Sequence, residues 1–364
     1  MIGICIGYKG TEEVMQSEVE ELIDAKARIE DSVVIFEIRD EKELCKLVYL
    51  GQSFCRVMLF LHSFVIKNVA DVKKGDFSFL KGKKIRVDCE RIGTHDFKSV
   101  DISRELGEYI YENAKCEVDF RNPEYIVYAY ILNDKCYVGI DYTGFDLSKR
   151  DYKVYLHPKA VKGTIAYFML RVAGYDKSMI LLDPFCGSGT IPIEAAFFSS
   201  GFSVNSFRKE KFQFVKMRVA DEKFLEKLDK KKEFKGKIYG FDKELRHINA
   251  AKQNAKIGGV EKFINFSRVD IDWLDTKFNE KEIDLIVTDA PNVTKWNEKK
   301  IAKVYEEFFH QAYFVLKEDG KIALIGSDKI KEVAEKKGFK LESELKVEKK
   351  NQIMAVDVFK KAKI

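Results

Sequence analysis

The stretch from Met179 to Gly201, MILLDPFCGSGTIPIEAAFFSSG, limits the fold more than any other part of the chain. An apolar run with strand character ends in an aspartate, turns through two nearby glycines and continues as an apolar run with helix character. Gly187 and Gly189 let the backbone approach a ligand closely while the helix N-terminus faces it. The spacing is not GxGxxG, and it lacks the GK[ST] ending of a phosphate loop. A ligand carrying both carboxylate and adenosyl parts suits such a turn better than a bare phosphate.

The same alternation surrounds this stretch. AVKGTIAYFMLRVAGY, from 160, has helical spacing, and KIYGFD (237–242) and DLIVTD (284–289) are strand endings that again finish in aspartate. A helix predicted over about 300–316 ends near a Glu318-Asp319-Gly320 turn, and the strand KIALIGS follows. Alternation of this kind over some 200 residues predicts a doubly wound α/β sheet with ligands beyond the carboxyl ends of its strands. An insertion rich in Arg, Lys and Phe interrupts it over 200–236. The N-terminal part reads differently. A helix over 12–26 and a strand over 33–38 open a small α+β module; a strand over 83–93, a helix over 99–114 and a hairpin over 125–141 turning at Asn133-Asp134 come after it.

Composition narrows the class. A chain of 364 residues has room for two or three domains with their own cores. Its seven cysteines never form a CxxC pair, so the sequence suggests no metal site and no disulfide framework, and a reducing cytoplasm is the expected location. No apolar run reaches the length of a membrane span, and the first residues lack the features of a secretory signal. The formal net charge of +5 is unevenly spread. Residues 1–45 are strongly acidic and the basic surplus lies beyond 150, so an anionic partner would meet the second half and patches of the middle. Solvated helix faces account for the same surplus equally well.

Three further aspartates stand where a ligand would be met. Asp242 ends a strand, where a carboxylate can accept from ribose hydroxyls. Asp270, in SRVDIDW, is similarly placed to meet an adenine amino group, although an Asp after a strand also serves as a helix cap. In TDAPN (288–292), a carboxylate and neighbouring carbonyls at a strand end can hold an exocyclic amine by its hydrogens, with its lone pair aimed at an electrophilic methyl group. Taken alone, TDAPN is an ordinary turn.

Together these residues resemble the THUMP-domain RNA methyltransferases that make N2-methylguanosine. LLDPFCGSGTIPIEAA (181–196) is close to that family's cofactor motif; RIGTHDFKSVDISRELGEYI (91–110) and VDFRNPEYIVYAYI (118–131) resemble the THUMP core. SKRDYKVYLHPKAVKGTIAYFML (148–170) is similar to the segment preceding the catalytic sheet, and GFSVNSFRKEKFQF (201–214) to an insertion in members acting on guanine N2. The resemblance implies an N-terminal α+β, ferredoxin-like part over 1–50, a THUMP domain over 51–145, a linker over 146–165 and a Rossmann-like class I methyltransferase domain over 166–364. It implies S-adenosylmethionine as cofactor, held by Asp183, Pro184, Phe185, Cys186, Gly187, Ser188, Gly189 and Thr190 of the turn, by Asp242, by Asp270 with Ile271, and by Thr164.

The same resemblance implies catalysis by Asp289, Ala290, Pro291 and Asn292, and tRNA as partner, its 3′ end and acceptor stem met by the THUMP region. Lys83, Arg91, His95 and Lys98 are the candidate phosphate contacts. Lys83 also suits a solvated surface, and His95 a structural histidine. The catalytic loop departs from the family, where an aromatic residue follows the proline; here Asn292 stands in its place, with Trp296 as a candidate replacement. Stacking of that kind is worth roughly 1–3 kcal/mol per base. The expected activity is methylation of guanine N2 in tRNA at acceptor-stem position 6. Position 10, a large-subunit rRNA guanine, and a catalytically silent RNA-binding subunit that keeps the cofactor pocket are the alternatives. Monomer and homodimer are left open.

Overall fold

The structure, a computed structural model, describes residues 1–155, 160–229, 232–291, 298–349 and 352–362. Its contacts divide the chain into two compact units, residues 1–147 with 208–228, and residues 148–207 with 229–364.

The first unit begins with β1 (Ile2–Ile6), α1 (Glu12–Ile23), β2 (Ala27–Glu30), β3 (Val33–Glu37), α2 (Glu41–Leu50) and β4 (Arg56–Val65). β5 (Lys84–Ile92), α3 (Ser99–Ala114), β6 (Glu117–Val118), β7 (Tyr125–Leu132) and β8 (Lys135–Asp141) complete its sheet. The eight strands run in the order β2-β3-β1-β4-β8-β7-β5-β6, so the N-terminal module and the strand, helix and hairpin of 84–141 share one sheet through the antiparallel β4–β8 pair. One face carries the large core, including Val19, Leu44, Val48, Ile102 and Leu106 from the helices. The other face buries Tyr128, Tyr130 and Tyr137 among aliphatic residues.

The second unit begins with α4 (Gly163–Val172), β9 (Ile180–Asp183) and α5 (Thr190–Ser200). The chain then returns to the first unit through α6 (Gln213–Lys216) and α7 (Glu222–Leu228); Phe212, Phe214 and Leu225 join the core of that unit. By the bounds that the resemblance implies, this segment lies within the methyltransferase domain, 166–364. Gln213 fixes the return by donating from Nε2 to the carbonyls of Pro123 (3.0 Å) and Glu124 (2.7 Å).

β10 (Lys237–Asp242), α8 (Leu245–Ile257), β11 (Ile264–Arg268), β12 (Ile283–Thr288), α9 (Glu298–Val315), β13 (Leu316–Ile325), α10 (Asp328–Lys336), β14 (Phe339–Lys349) and β15 (Gln352–Lys361) finish the second unit. Its seven strands run β11-β10-β9-β12-β13-β15-β14, parallel except for β15, which pairs antiparallel with both neighbours. The order reverses between β9 and β12, the switch point at which doubly wound sheets bind ligands. The predicted Glu318-Asp319-Gly320 turn is instead an irregularity inside β13. Ile283 pairs with Leu316 and Leu285 with Lys321, so the extra residues bulge out of the ladder without ending it. Among the described residues, no helix is long and apolar enough to cross a membrane.

Candidate active site

Three aspartates end three neighbouring strands. β10, β9 and β12 lie side by side, and Asp242, Asp183 and Asp289 stand at or one residue past their carboxyl ends. Beside them opens a cavity of about 430 Å³, within the range of small-molecule and cofactor sites. Its lining includes Asp183, Pro184, Phe185, Cys186, Gly187, Ser188 and Thr190 of the turn, Asp242, Asp270 with Ile271, and Asp289, Ala290 and Pro291. Sequence candidates scattered over more than a hundred positions therefore meet at one place.

Two candidates are not part of this lining. Gly189 caps α5 with φ of 84°, and a Cβ there would come within 2.9 Å of the Ala251 Cβ on α8, so glycine is needed for backbone conformation and for close packing. Thr164 is buried on α4 with its hydroxyl unpartnered among the described residues. Asn292 and Trp296 lie outside the described residues.

The turn is held by its own backbone and by Asp242. The Cys186 N–H donates to the carbonyl of Phe241 (2.8 Å) and the Gly189 N–H to that of Cys186 (2.8 Å). Asp242 accepts from the Gly187 N–H (3.1 Å) and the Glu244 N–H (2.8 Å), and its Oδ1 lies 3.0 Å from Nδ1 of His247. These donors fix the carboxylate plane, and a carboxylate has acceptor capacity beyond three donors. His247 also lines the cavity, and sequence reasoning missed it. Its signal was a lone histidine five residues past Asp242 at the start of a helix.

Asp183 is almost completely buried. It accepts from the Thr288 hydroxyl (2.6 Å) and the Phe185 N–H (3.2 Å). Burial, reinforced by the nearby carboxylates of Asp289 and Asp242, pushes its pKa up to about 8 despite those two hydrogen bonds. Without a ligand it is therefore mostly protonated at neutral pH. Burial, with repulsion from Asp183 and Asp242, likewise raises the Cys186 thiol well above its ordinary range and keeps it neutral. The Tyr305 hydroxyl, on α9, donates to the carbonyl of Pro291. Burial and then Asp289 push that phenol up to about 12, so it remains a donor that braces the 289–291 loop.

The segment leading into this unit is anchored too. Arg150 Nε lies 2.8 Å from Glu194 Oε1, and Nη2 lies 3.1 Å from Oε2, with both side chains fully buried. The Tyr152 hydroxyl donates to the same Oε1 (2.8 Å). A Cβ at Gly163 would fall 2.4 Å from Arg150 Nε and 2.5 Å from Glu194 Oε1, so the glycine allows α4 to start against the pair.

In the first unit the RNA-contact candidates separate into two places. Arg91 Nη1 donates to Nδ1 of His95 (3.1 Å), and His95 Nε2 lies 2.5 Å from the carbonyl of Asn133, which fixes the tautomer with its proton on Nε2. Lys98 precedes α3 with its backbone N–H held by Asp101 (2.9 Å). Lys83 lies before the other end of β5, roughly 26 Å from Arg91 at about 3.3 Å per strand residue. Its ammonium pairs with Glu124 at 2.7 Å.

A mostly parallel seven-stranded sheet with one antiparallel insertion, a glycine turn after its first strand and acids around a switch-point cavity define a Rossmann-like methyltransferase domain. Residues 150–356 match the RMKL-like methyltransferase domain, and residues 66–141 match the THUMP domain. The chain is 31% identical over 360 residues to a tRNA (guanine(6)-N2)-methyltransferase of Methanocaldococcus jannaschii, covering 93% of this chain and 94% of that one. It is 29% identical over 323 residues to the Archaeoglobus fulgidus protein of the same name, covering 85% and 77%. The crystal structure of TrmN from Thermus thermophilus shares the fold, with a TM-score of 0.73, 21% identity and 99% of each chain covered. The chain belongs to the RMKL-like methyltransferase family and carries a THUMP domain ahead of the catalytic one. Its cofactor is S-adenosylmethionine.

The cavity fits that cofactor. Ser188 and Thr190 line it beside the glycine turn, and Asp242 and Asp270 bring carboxylates that can accept from the cofactor's ribose hydroxyls and adenine amino group.

Proposed function

We propose that this protein transfers a methyl group from S-adenosylmethionine to N2 of a guanine in tRNA, at position 6 of the acceptor stem. The observation that carries the reading is the meeting of the glycine turn, Asp242, Asp270 and Asp289 around one cavity. The relatives that match over most of the chain, both named tRNA (guanine(6)-N2)-methyltransferase, support the position.

In this reading the turn residues 183–190 hold the methionine end of the cofactor, Asp242 its ribose, and Asp270 with Ile271 its adenine. The cofactor supplies an activated methyl group. The target guanine leaves its stack to reach the cavity. Asp289 and the carbonyls of Ala290 and Pro291 accept from the exocyclic amino group and orient its nitrogen. The Pro291 carbonyl, already bonded to Tyr305, retains a second lone pair for this purpose. N2 gains the methyl group as the sulfur–methyl bond of the bound cofactor breaks, and the surplus proton on N2 leaves to solvent. Cys186, kept neutral by burial, plays no nucleophilic part.

The THUMP region grips the tRNA by its 3′ end and acceptor stem, with Arg91, His95 and Lys98 as one phosphate-facing group and Lys83 as a separate contact. A cytoplasmic location accompanies that substrate. Transcripts in which the guanine at position 6 is replaced by adenine test the position. Methylation should disappear from them while tRNA binding stays within a few fold, and undiminished methylation would refute position 6.

A further inference from the structure

The residues that lead toward the cavity are tied to the cofactor turn by one side chain to which the reaction gives no role. Asn254 on α8 is fully buried. Its Oδ1 accepts from the backbone N–H groups of Val154 (3.2 Å) and Tyr155 (2.9 Å). Its Nδ2 donates to the carbonyl of Tyr155 (2.9 Å) and to that of Ser188 (3.0 Å). Two N–H groups on one side and two carbonyls on the other admit a single orientation of the amide and use its hydrogen-bonding capacity in full.

The two segments it joins are distant in sequence and both concern the cavity. Ser188 lies in the cavity lining between Gly187, whose N–H is held by Asp242, and Gly189, against which α8 packs at Ala251. Ala160 and Val161 also line the cavity, and Lys153 Nζ donates to the carbonyl of Val161 at 2.5 Å. Tyr155 itself is 49% exposed and is not part of the lining.

We propose that Asn254 is a positioning residue for cofactor binding, which registers residues 154–155 against the backbone of Ser188 so that Ala160 and Val161 stand with the glycine turn as one wall of the cavity. The proposal rests on the cofactor assignment. It has a consequence that a merely structural asparagine lacks: disturbing the backbone at the exposed Tyr155 weakens the cofactor, although Tyr155 does not touch the cavity.

The test is calorimetric titration of the full chain with S-adenosylhomocysteine, which needs no RNA and is therefore independent of the proposed target. Asn254→Ala removes the hub, and Tyr155→Pro deletes one N–H that Oδ1 accepts, with circular dichroism showing that each variant is folded. Kd should rise about fivefold for Tyr155→Pro, which removes one of the four hydrogen bonds of Asn254, and by well over tenfold for Asn254→Ala, which removes all four. Trypsin cleavage at Lys153 and Lys162 should be slowed by saturating S-adenosylhomocysteine in the natural protein and not in the variants. If Asn254→Ala does not fold, Tyr155→Pro decides alone. A Kd within twofold of the natural protein in folded Tyr155→Pro overturns the proposal, even if Asn254→Ala binds weakly, because the carbonyl of Ser188 would then be held only locally. Failure of the natural protein to bind overturns the cofactor assignment and the proposal with it.

Discussion

Binding of S-adenosylmethionine should release a proton from Asp183. In the free protein its carboxyl titrates at about 8, because burial and the carboxylates of Asp289 and Asp242 outweigh the donors from Thr288 and Phe185. At pH 7 such a group is roughly 90% protonated. In the proposed reading the methionine end of the cofactor brings positive charge to this position, which favours the carboxylate and lowers its pKa. Binding at pH 7 should therefore expel up to about 0.9 proton from this residue, and at pH 9.5 almost none. The sign of the pH dependence follows: affinity rises with pH while Asp183 is protonated in the free state and levels off above about 8. Calorimetry in two buffers of different ionisation enthalpy measures the proton count. Asp183→Asn controls for the cofactor's own amino group, which titrates in both proteins. Equal proton release by the natural protein and Asp183→Asn at pH 7 would refute the reasoning.

Related perturbations have defined outcomes. Thr288→Val removes a donor that favours the ionised form of Asp183, so the pH at which cofactor affinity levels off should move upward, read from the same titrations. Because the raised pKa means that folding retains a proton, the ligand-free protein loses stability as pH climbs from about 4 through 8. The thermal midpoint of Asp183→Asn should accordingly gain on the natural protein between pH 5 and pH 8.5. Arg150→Met should cost about 3–5 kcal/mol by leaving Glu194 charged and buried, and adding Glu194→Leu should recover most of that loss. Strictly additive losses in urea unfolding would deny the pairing. Asp289→Ala should abolish methylation while cofactor and tRNA binding stay within a few fold; near-normal turnover would remove Asp289 from the catalytic role.

What was legible in the sequence was local. Asp183 to Thr190 are consecutive at a strand-to-helix junction, and Asp242 and Asp289 each finish an apolar strand, so alternation put them at one edge of one sheet, while the resemblance added Asp270. The contacts that brace the site were hidden, because Arg150 meets Glu194 across 44 positions and Asn254 meets Val154 across 100. Neither pairing leaves a periodic trace. Phe212, Phe214 and Leu225 announced burial without announcing which core would receive them, and they joined the first unit. Likewise, Glu318-Asp319-Gly320 carries ordinary turn chemistry, but pairing of β13 with β12 on both sides of it turned the expected loop into a bulge.

The central claim is tested most directly by incubating the purified protein with unmodified tRNA transcripts and S-adenosylmethionine labelled in its methyl group, then identifying the labelled nucleoside and its position. The account predicts N2-methylguanosine at position 6. Label in any other nucleoside, or none from a protein that binds S-adenosylhomocysteine, would contradict it.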